Sequence, residues 1–284
     1  MAPAVAVVVA LATVIGACGG SATEPGSRPE ERSSASATPA PGSAGTYVAL
    51  GDSAASGMGI PPEEGTCRRS ERAYGPLLAA RHGYTLVNRT CAGARVGDVL
   101  GTSDVQGPPQ IDGLDSDTAL VTLMIGANDL GYAGLLAGRC AEDASGSGCD
   151  PAESQERVAA RLGAIGKELR VLLDAITTRA PQARVLVVGY ADALGAGPCL
   201  AMPLTRAAFA AAAEAVVDLN GVLRSAADDA GAEFVDTYDA TRGHGVCDDE
   251  PWVNNLITGG DGAPGHPRSA YHAAVADLLD GHLS

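Results

Sequence analysis

Four separated places in this sequence carry groups suited to acyl transfer. Ser53, in Gly51-Asp52-Ser53, closes the apolar run Tyr47-Val48-Ala49-Leu50. It opens onto Ala54-Ala55-Ser56-Gly57-Met58-Gly59, small residues that let a backbone turn tightly and a substrate come close. Its hydroxyl is a candidate nucleophile. Asn128, in Gly126-Ala127-Asn128-Asp129, closes a second run, Leu120 to Ile125, and offers a side-chain N–H₂. Gly93, in Cys91-Ala92-Gly93-Ala94, offers a bare backbone N–H. His266 stands before Pro267, so its backbone is pushed out of the helical region while the proline opens a final helix. The positive end of that helix would disfavour imidazolium and leave the ring able to accept a proton. A serine activated by histidine, with the Ser53 N–H, Gly93 N–H and Asn128 amide around a developing oxyanion, is machinery for ester hydrolysis. Taken singly, each feature has a plainer reading: Ser53 and Gly93 as turn residues, Asn128 as a cap or Asx-turn.

Delivering these groups to one place is a task for the elements between them. Short apolar runs at 46–51, 85–90, 119–125, 184–190 and 232–236 alternate with helical stretches, the pattern of a parallel sheet covered on both faces. In such a sheet the carboxyl ends of neighbouring strands share one edge, where ligands bind. One helix starts at Asp150-Pro151-Ala152-Glu153, with an N-cap, a first-position proline and a capping-box glutamate. Val158, Leu162, Ile165, Leu169, Leu172, Leu173 and Ile176 then form one apolar face, and the helix must stop at Ala180-Pro181. A second, alanine-rich helix runs from about Thr205 to Ala230 and ends at Gly231. The last covers about Pro267 to Leu279, and no internal repeat is visible.

Several chemistries are argued against. The string after Ser53 lacks the lysine and the spacing of a phosphate-binding loop. No cysteine pair has CxxC spacing, which speaks against a zinc site or redox dithiol, and no motif calls for a cofactor. Asp98, Asp104, Asp112, Asp115 and Asp117 crowd one stretch without calcium-loop spacing and read as a solvated surface. With 34 acidic against 19 basic residues, a formal charge of −15 and no basic cluster, nucleic acid is not an expected partner. The acidity is read as solubility rather than substrate preference. Lys167 is the only lysine, a bias of genome composition rather than chemistry. Asn88-Arg89-Thr90 fits a glycosylation sequon and carries no weight in a bacterial-looking chain. Of the other histidines, His244 lies in a glycine-rich loop near Cys247, His272 inside the last helix, His82 near a helix end and His282 in a frayed C-terminus.

The N-terminal part reads as an address. Ala4 to Ile15 is too short to span a bilayer and suits a signal-peptide core, which ends in Ile15-Gly16-Ala17-Cys18. That ending resembles the lipobox of bacterial lipoproteins, so residues 1–17 are expected to be removed and Cys18 to carry lipid. Met1 to Val14 contains no lysine or arginine, so either the true start lies upstream or this is a plain apolar leader with a chance cysteine. Residues 18–45, rich in Ser, Ala, Pro, Gly, Thr and Glu, read as a disordered tether. Residues 46–284 suit one α/β domain. Beyond Cys18, six cysteines in an exported chain imply disulfides; fifteen pairings are open, and the sequential one is preferred.

The Gly-Asp-Ser, Gly93, Gly-x-Asn-Asp and His-Pro blocks, in that order, resemble those of the SGNH (GDSL-type) hydrolases over about residues 46–284. The secreted actinobacterial lipases and esterases of that family are the nearest in pattern. Their Trp-Val-Asn segment is matched by Trp252-Val253-Asn254. The resemblance implies a flavodoxin-like three-layer α/β/α sandwich with a five-stranded parallel sheet. It also implies the disulfides Cys67–Cys91, Cys140–Cys149 and Cys199–Cys247. One position departs: many members carry Asp three residues before the histidine, where this chain has Ala263, and the nearest acid is Asp261. Either Asp261 reaches His266, or a main-chain carbonyl near Ala263 holds the imidazole, and the carbonyl is preferred. A carbonyl fixes the tautomer but gives imidazolium less charge support than a carboxylate.

The expectation is thus an exported serine ester hydrolase, metal-independent, acting on lipid or short-chain carboxylic esters. It is extracytoplasmic, lipid-anchored in the membrane through Cys18 or else secreted, and monomeric. Loops 54–70 and 191–204 show no long apolar stripe, which favours shorter acyl chains. Polysaccharide O-deacetylation is the alternative enzyme reading, and a non-catalytic cell-surface binding module is the alternative outside enzymes. A transporter's solute-binding protein would need two α/β lobes, and the length allows one.

Overall fold

The computed structural model describes residues 44–103, 108–136, 151–256 and 260–284, without the side chains of 151–154. The leader, Cys18, nearly all of the tether, Asp104, Cys140, Cys149 and the helix cap Asp150 lie outside the described residues. The strands are β1 (Thr46–Gly51), β2 (Glu63–Glu64), β3 (Arg69–Ser70), β4 (Thr85–Asn88), β5 (Thr118–Met124), β6 (Arg184–Val188) and β7 (Glu233–Val235). The helices before the longest one are α1 (Ser53–Ser56), α2 (Tyr74–His82), α3 (Val96–Leu100), α4 (Ala127–Leu130) and α5 (Tyr132–Leu136). There follow α6 (Pro151–Arg179), α7 (Arg206–Asp229), α8 (Thr237–Ala240) and α9 (Ser269–Leu283).

Five strands form a parallel sheet in the order β4-β1-β5-β6-β7, the flavodoxin-like order, while β2 and β3 make a separate antiparallel ribbon. β1 is buried along its whole length because it pairs on both sides, Tyr47 with Leu86 of β4 and with Leu120 of β5. Its run of apolar residues without alternation is what a strand covered on both faces requires. The chain leaves β1 toward β4 and then returns past it to β5. Right-handed crossovers therefore put the covering helices on opposite faces, α2 packed with α9 and α6 with α7. The reversal opens a crevice at the carboxyl ends of β1 and β5, the place where Ser53 and Asn128 stand.

The apolar face read on α6 is the buried one: Leu162, Ile165, Leu169, Leu172, Leu173 and Ile176 are all in the core. Thr205 caps α7 by accepting from the Ala208 N–H at 3.1 Å. Among the described residues no helix is long and apolar enough to cross a membrane.

Several boundaries and one surface reading differ from the sequence expectations. β4 stops at Asn88 because that side chain turns back to accept from the Thr90 N–H and hydroxyl, at 3.2 and 2.7 Å. β6 stops at Val188; beyond it the Tyr190 N–H donates to the Asn220 side chain of α7, not to a strand. α9 starts at Ser269, two residues after Pro267, because residues 252–254 draw the chain into an isolated antiparallel bridge between Val253 and Pro267. Asp98 is buried rather than solvated: its carboxylate accepts from the Arg95 N–H at 2.8 Å and from the Ser103 hydroxyl. His282 is not frayed, since it lies in α9 and pairs with Glu233.

Candidate active site

Ser53 is the first residue of α1, directly after β1. Gly51 makes that sharp turn feasible: its φ is +147°, and a Cβ there would run into the Met124 carbonyl oxygen of β5. The turn is clamped from three sides. The Gln110 side-chain amide accepts from the Gly51 N–H at 2.8 Å and donates to its carbonyl at 2.9 Å. The Cys91 N–H donates to the same carbonyl at 2.9 Å. The buried Asp52 carboxylate caps α1, accepting from the Ala54 N–H at 2.9 Å. The Ser53 N–H has no partner among the described residues, as a first-turn helical amide should not.

His266 Nε2 lies 2.8 Å from Ser53 Oγ. Its other nitrogen, Nδ1, lies 2.8 Å from the Pro264 carbonyl. A carbonyl can only accept, so the proton sits on Nδ1 and the Nε2 lone pair faces the serine hydroxyl. The imidazole is thus oriented by a carbonyl one residue beyond Ala263. Asp261 goes elsewhere, its carboxylate taking the Ser269 hydroxyl and standing 3.6 Å from Arg72. The His266 segment is pinned to the strand-like segment before it: the Asn254 N–H donates to the His266 carbonyl at 3.0 Å, and Arg268 N–H to the Trp252 carbonyl at 2.7 Å. It is pinned also to the loop after Ser53, the Gly262 and Ala263 N–H groups donating to the Gly59 and Met58 carbonyls at 3.1 and 3.0 Å. Burial pushes the His266 imidazole below its ordinary pKa; the Pro264 carbonyl opposes this and the Arg68 charge adds to it. Because α9 starts only at Ser269, three residues after His266, burial rather than the helix dipole is the main cause of the lowering.

Asn128 lies in α4 at the end of β5, and its side-chain amide donates to the Ala94 carbonyl at 2.9 Å, which leaves one amide hydrogen free of partners among the described residues. Asp129 accepts from the Val96 N–H at 3.2 and 3.3 Å. These two contacts tie the loop after β5 to the loop after β4, which carries Gly93. Gly93 is exposed, with φ +82° and an N–H unpartnered among the described residues, although it does not line the cavity beside Ser53. A buried carboxyl, Asp52, and a half-buried one, Asp129, underlie these loops. Burial raises Asp52 to about 7, against the pull of the Tyr190 hydroxyl, and raises Asp129 to about 6.

Ser53, Asn128 and His266 open onto a cavity of about 110 Å³, walled by Tyr132, Leu136, Tyr190, Val216, Val253 and Tyr271. Among the described residues no group of His, Cys, Asp or Glu is placed to hold a metal ion. Tyr190 is a wall residue that sequence reasoning passed over. Its hydroxyl donates to Asp52 Oδ2 at 2.5 Å and accepts from the Ala127 N–H at 3.2 Å. A signal was available, for Tyr190 closes the fourth apolar run, at the same sheet edge as Ser53 and Asn128. Two disulfides brace the surroundings, Cys67–Cys91 beside the Gly93 turn and Cys199–Cys247 across two loops. His244 stacks on Trp252 with ring centroids 3.7 Å apart, away from the serine.

Comparison with known proteins gives a consistent set of relatives. The model of the GDSL-like Lipase/Acylhydrolase family matches residues 49–274. A lipase of Streptomyces rimosus is 36% identical over 214 residues, which is 74% of this chain and 76% of that protein. The crystal structure of an extracellular lipase from Streptomyces rimosus superposes with a TM-score of 0.71 at 32% identity, covering 84% of this chain and 99% of that one. Phospholipase A1 from Streptomyces albidoflavus NA297 superposes with a TM-score of 0.69 at 31% identity, covering 84% of this chain and 98% of that one.

Proposed function

Because the chain belongs to the GDSL-like lipase/acylhydrolase family and is a carboxylic ester hydrolase, we propose that Ser53 is its nucleophile and His266 its general base. Ser53 Oγ attacks the ester carbonyl carbon while His266 Nε2 takes the hydroxyl proton. The tetrahedral oxyanion is held by the Ser53 N–H, the free Asn128 amide hydrogen and the Gly93 N–H. His266 then returns the proton to the departing alcohol, leaving an acyl-serine that water, activated by the same imidazole, hydrolyses. The observation that carries this reading is the 2.8 Å contact of Nε2 with Oγ, with the tautomer fixed by Pro264.

The acyl group is proposed to be short. An engineered cavity of about 150 Å³ holds benzene, so a cavity of about 110 Å³ has room for roughly four to six carbons. Export through the N-terminal leader, with Cys18 lipidated and residues 18–45 as tether to a monomeric domain at 46–284, is proposed on the sequence features alone. The test is hydrolysis of p-nitrophenyl esters from acetyl to palmitoyl by the oxidised protein beside Ser53→Ala. Turnover greatest at acetyl to hexanoyl and absent in the variant is expected. Retained turnover in Ser53→Ala would remove Ser53 from the mechanism, and an optimum at palmitoyl would overturn the short-acyl assignment.

A further inference from the structure

The cavity wall contains a buried hydroxyl that spans two of the loops on which the reaction depends. Tyr190 follows β6 and no longer pairs with a strand; its main chain is gripped instead by the Asn220 side chain of α7. The Tyr190 N–H donates to Asn220 Oδ1 at 2.8 Å, and Asn220 Nδ2 donates to the Tyr190 carbonyl at 2.9 Å. From that fixed base the ring reaches past the end of β5. Its hydroxyl meets Asp52 Oδ2 at 2.5 Å on one side and the Ala127 N–H at 3.2 Å on the other. Asp52 immediately precedes Ser53, and Ala127 immediately precedes Asn128. The second Asp52 oxygen is already committed to the Ala54 N–H at 2.9 Å.

We propose that Tyr190 is a positioning residue for ester hydrolysis, its hydroxyl holding the Ser53 turn and the Asn128 turn at the separation a tetrahedral intermediate requires. The proposal rests on the roles given above to Ser53 and Asn128. Donors from both turns must converge on one oxygen atom, and such a constellation tolerates displacements of only about 0.5 Å. Without the hydroxyl, β5 and its neighbours still place both loops at the same edge. What is lost is the hydrogen-bonded link between them, and with it the registration that matters once the carbonyl becomes tetrahedral. Ground-state binding depends on the apolar wall, to which the ring itself contributes. The two effects therefore separate in the kinetics.

The experiment compares Tyr190→Phe, Ser53→Ala and the unaltered oxidised protein on p-nitrophenyl butyrate, with butaneboronic acid as a tetrahedral mimic. Phenylalanine keeps the wall and removes only the hydroxyl. The expected result is a kcat lower by about 10- to 100-fold with KM within about twofold, and boronate affinity weakened in step with kcat. A residue serving the fold alone would lower Tm and leave kcat per folded molecule and boronate affinity unchanged, and that result overturns the proposal. Should Tyr190→Phe fail to fold, Asp52→Asn carries the same test. Assayed at pH 8, where the native Asp52 is ionised, it keeps the volume but offers one oxygen where Tyr190 and Ala54 each need one, so the same kcat-selective loss is expected and unaltered kcat overturns the proposal. Turnover surviving in Ser53→Ala would instead sink the underlying reading of the site; a dead Ser53→Ala beside an unimpaired Tyr190→Phe would sink the positioning role alone.

Discussion

At the scale of single residues, the proposed mechanism depends on the protonation of one imidazole. In it His266 must be neutral to accept the serine proton, and burial lowers its pKa below the ordinary 6.5. The acid limb of kcat/KM, which reports the free enzyme, is therefore expected to have its midpoint below pH 6.5 and a plateau through neutrality. A midpoint above pH 7 in a pH–rate profile would contradict this. That Ser53, Asn128 and His266 belong together was legible in the sequence because each sits in a short block with its own chemical signature, and the structure brings the three to one cavity. Pro264 was not, because a carbonyl is common to every residue and only the loop's path decides which one faces the ring. Tyr190 was overlooked for a different reason: a tyrosine at a strand end looks like core, and the two partners of its hydroxyl lie 138 and 63 residues away.

At the scale of elements, the parallel sheet was readable as apolar runs spaced by amphipathic helices, and α6 and α7 fell close to their expected bounds. The small pieces were harder. The β2–β3 ribbon has two residues per strand, and α3 has five, too few for any periodicity to register. Groups outside an element also set several ends, as the Asn220 side chain does for β6 and the main chain of residues 252–254 does for α9. The loop–loop contact between residues 57–60 and 262–263 is one such unreadable feature, and it holds the His266 segment against the Ser53 turn. Gly59 has φ +85°, and a Cβ there would strike the Ala263 main chain. Gly59→Ala is thus expected to push the His266 segment away, lowering kcat by about 100-fold or more, since a displacement of about 1 Å at a reacting group costs that much. Thermal unfolding should show a loss of roughly 1–3 kcal/mol from the strained backbone as well. Wild-type kcat in that variant would mean the two loops do not register the dyad.

At the scale of the whole molecule, fold and site are built from the same buried groups, and their proton affinities connect them. Asp52 and Asp129, raised to about 7 and about 6, keep their protons up to those values in the folded chain, whereas the unfolded chain ionises them near pH 4. Their contribution to stability is complete below pH 4 and is lost as pH rises through 6 and 7. His272, fully buried in α9 and lowered to about 3, works in the opposite sense, losing stability as pH falls from 6.5. Between about pH 4 and pH 6, unfolding releases two protons from the carboxyls and takes up one at His272. Stability carried by these three groups should therefore fall by about 1.4 kcal/mol per pH unit across that window. Denaturant unfolding at several pH values would measure the slope, and a rise over the same window would refute the assignment of protonated carboxyls. The carboxyls beside the Ser53 and Asn128 turns thus favour the folded chain most in acid, while in the proposed mechanism the His266 imidazole must lose its proton to act. For these groups the two demands run in opposite directions: raising the pH arms the base and loosens the ground beneath it.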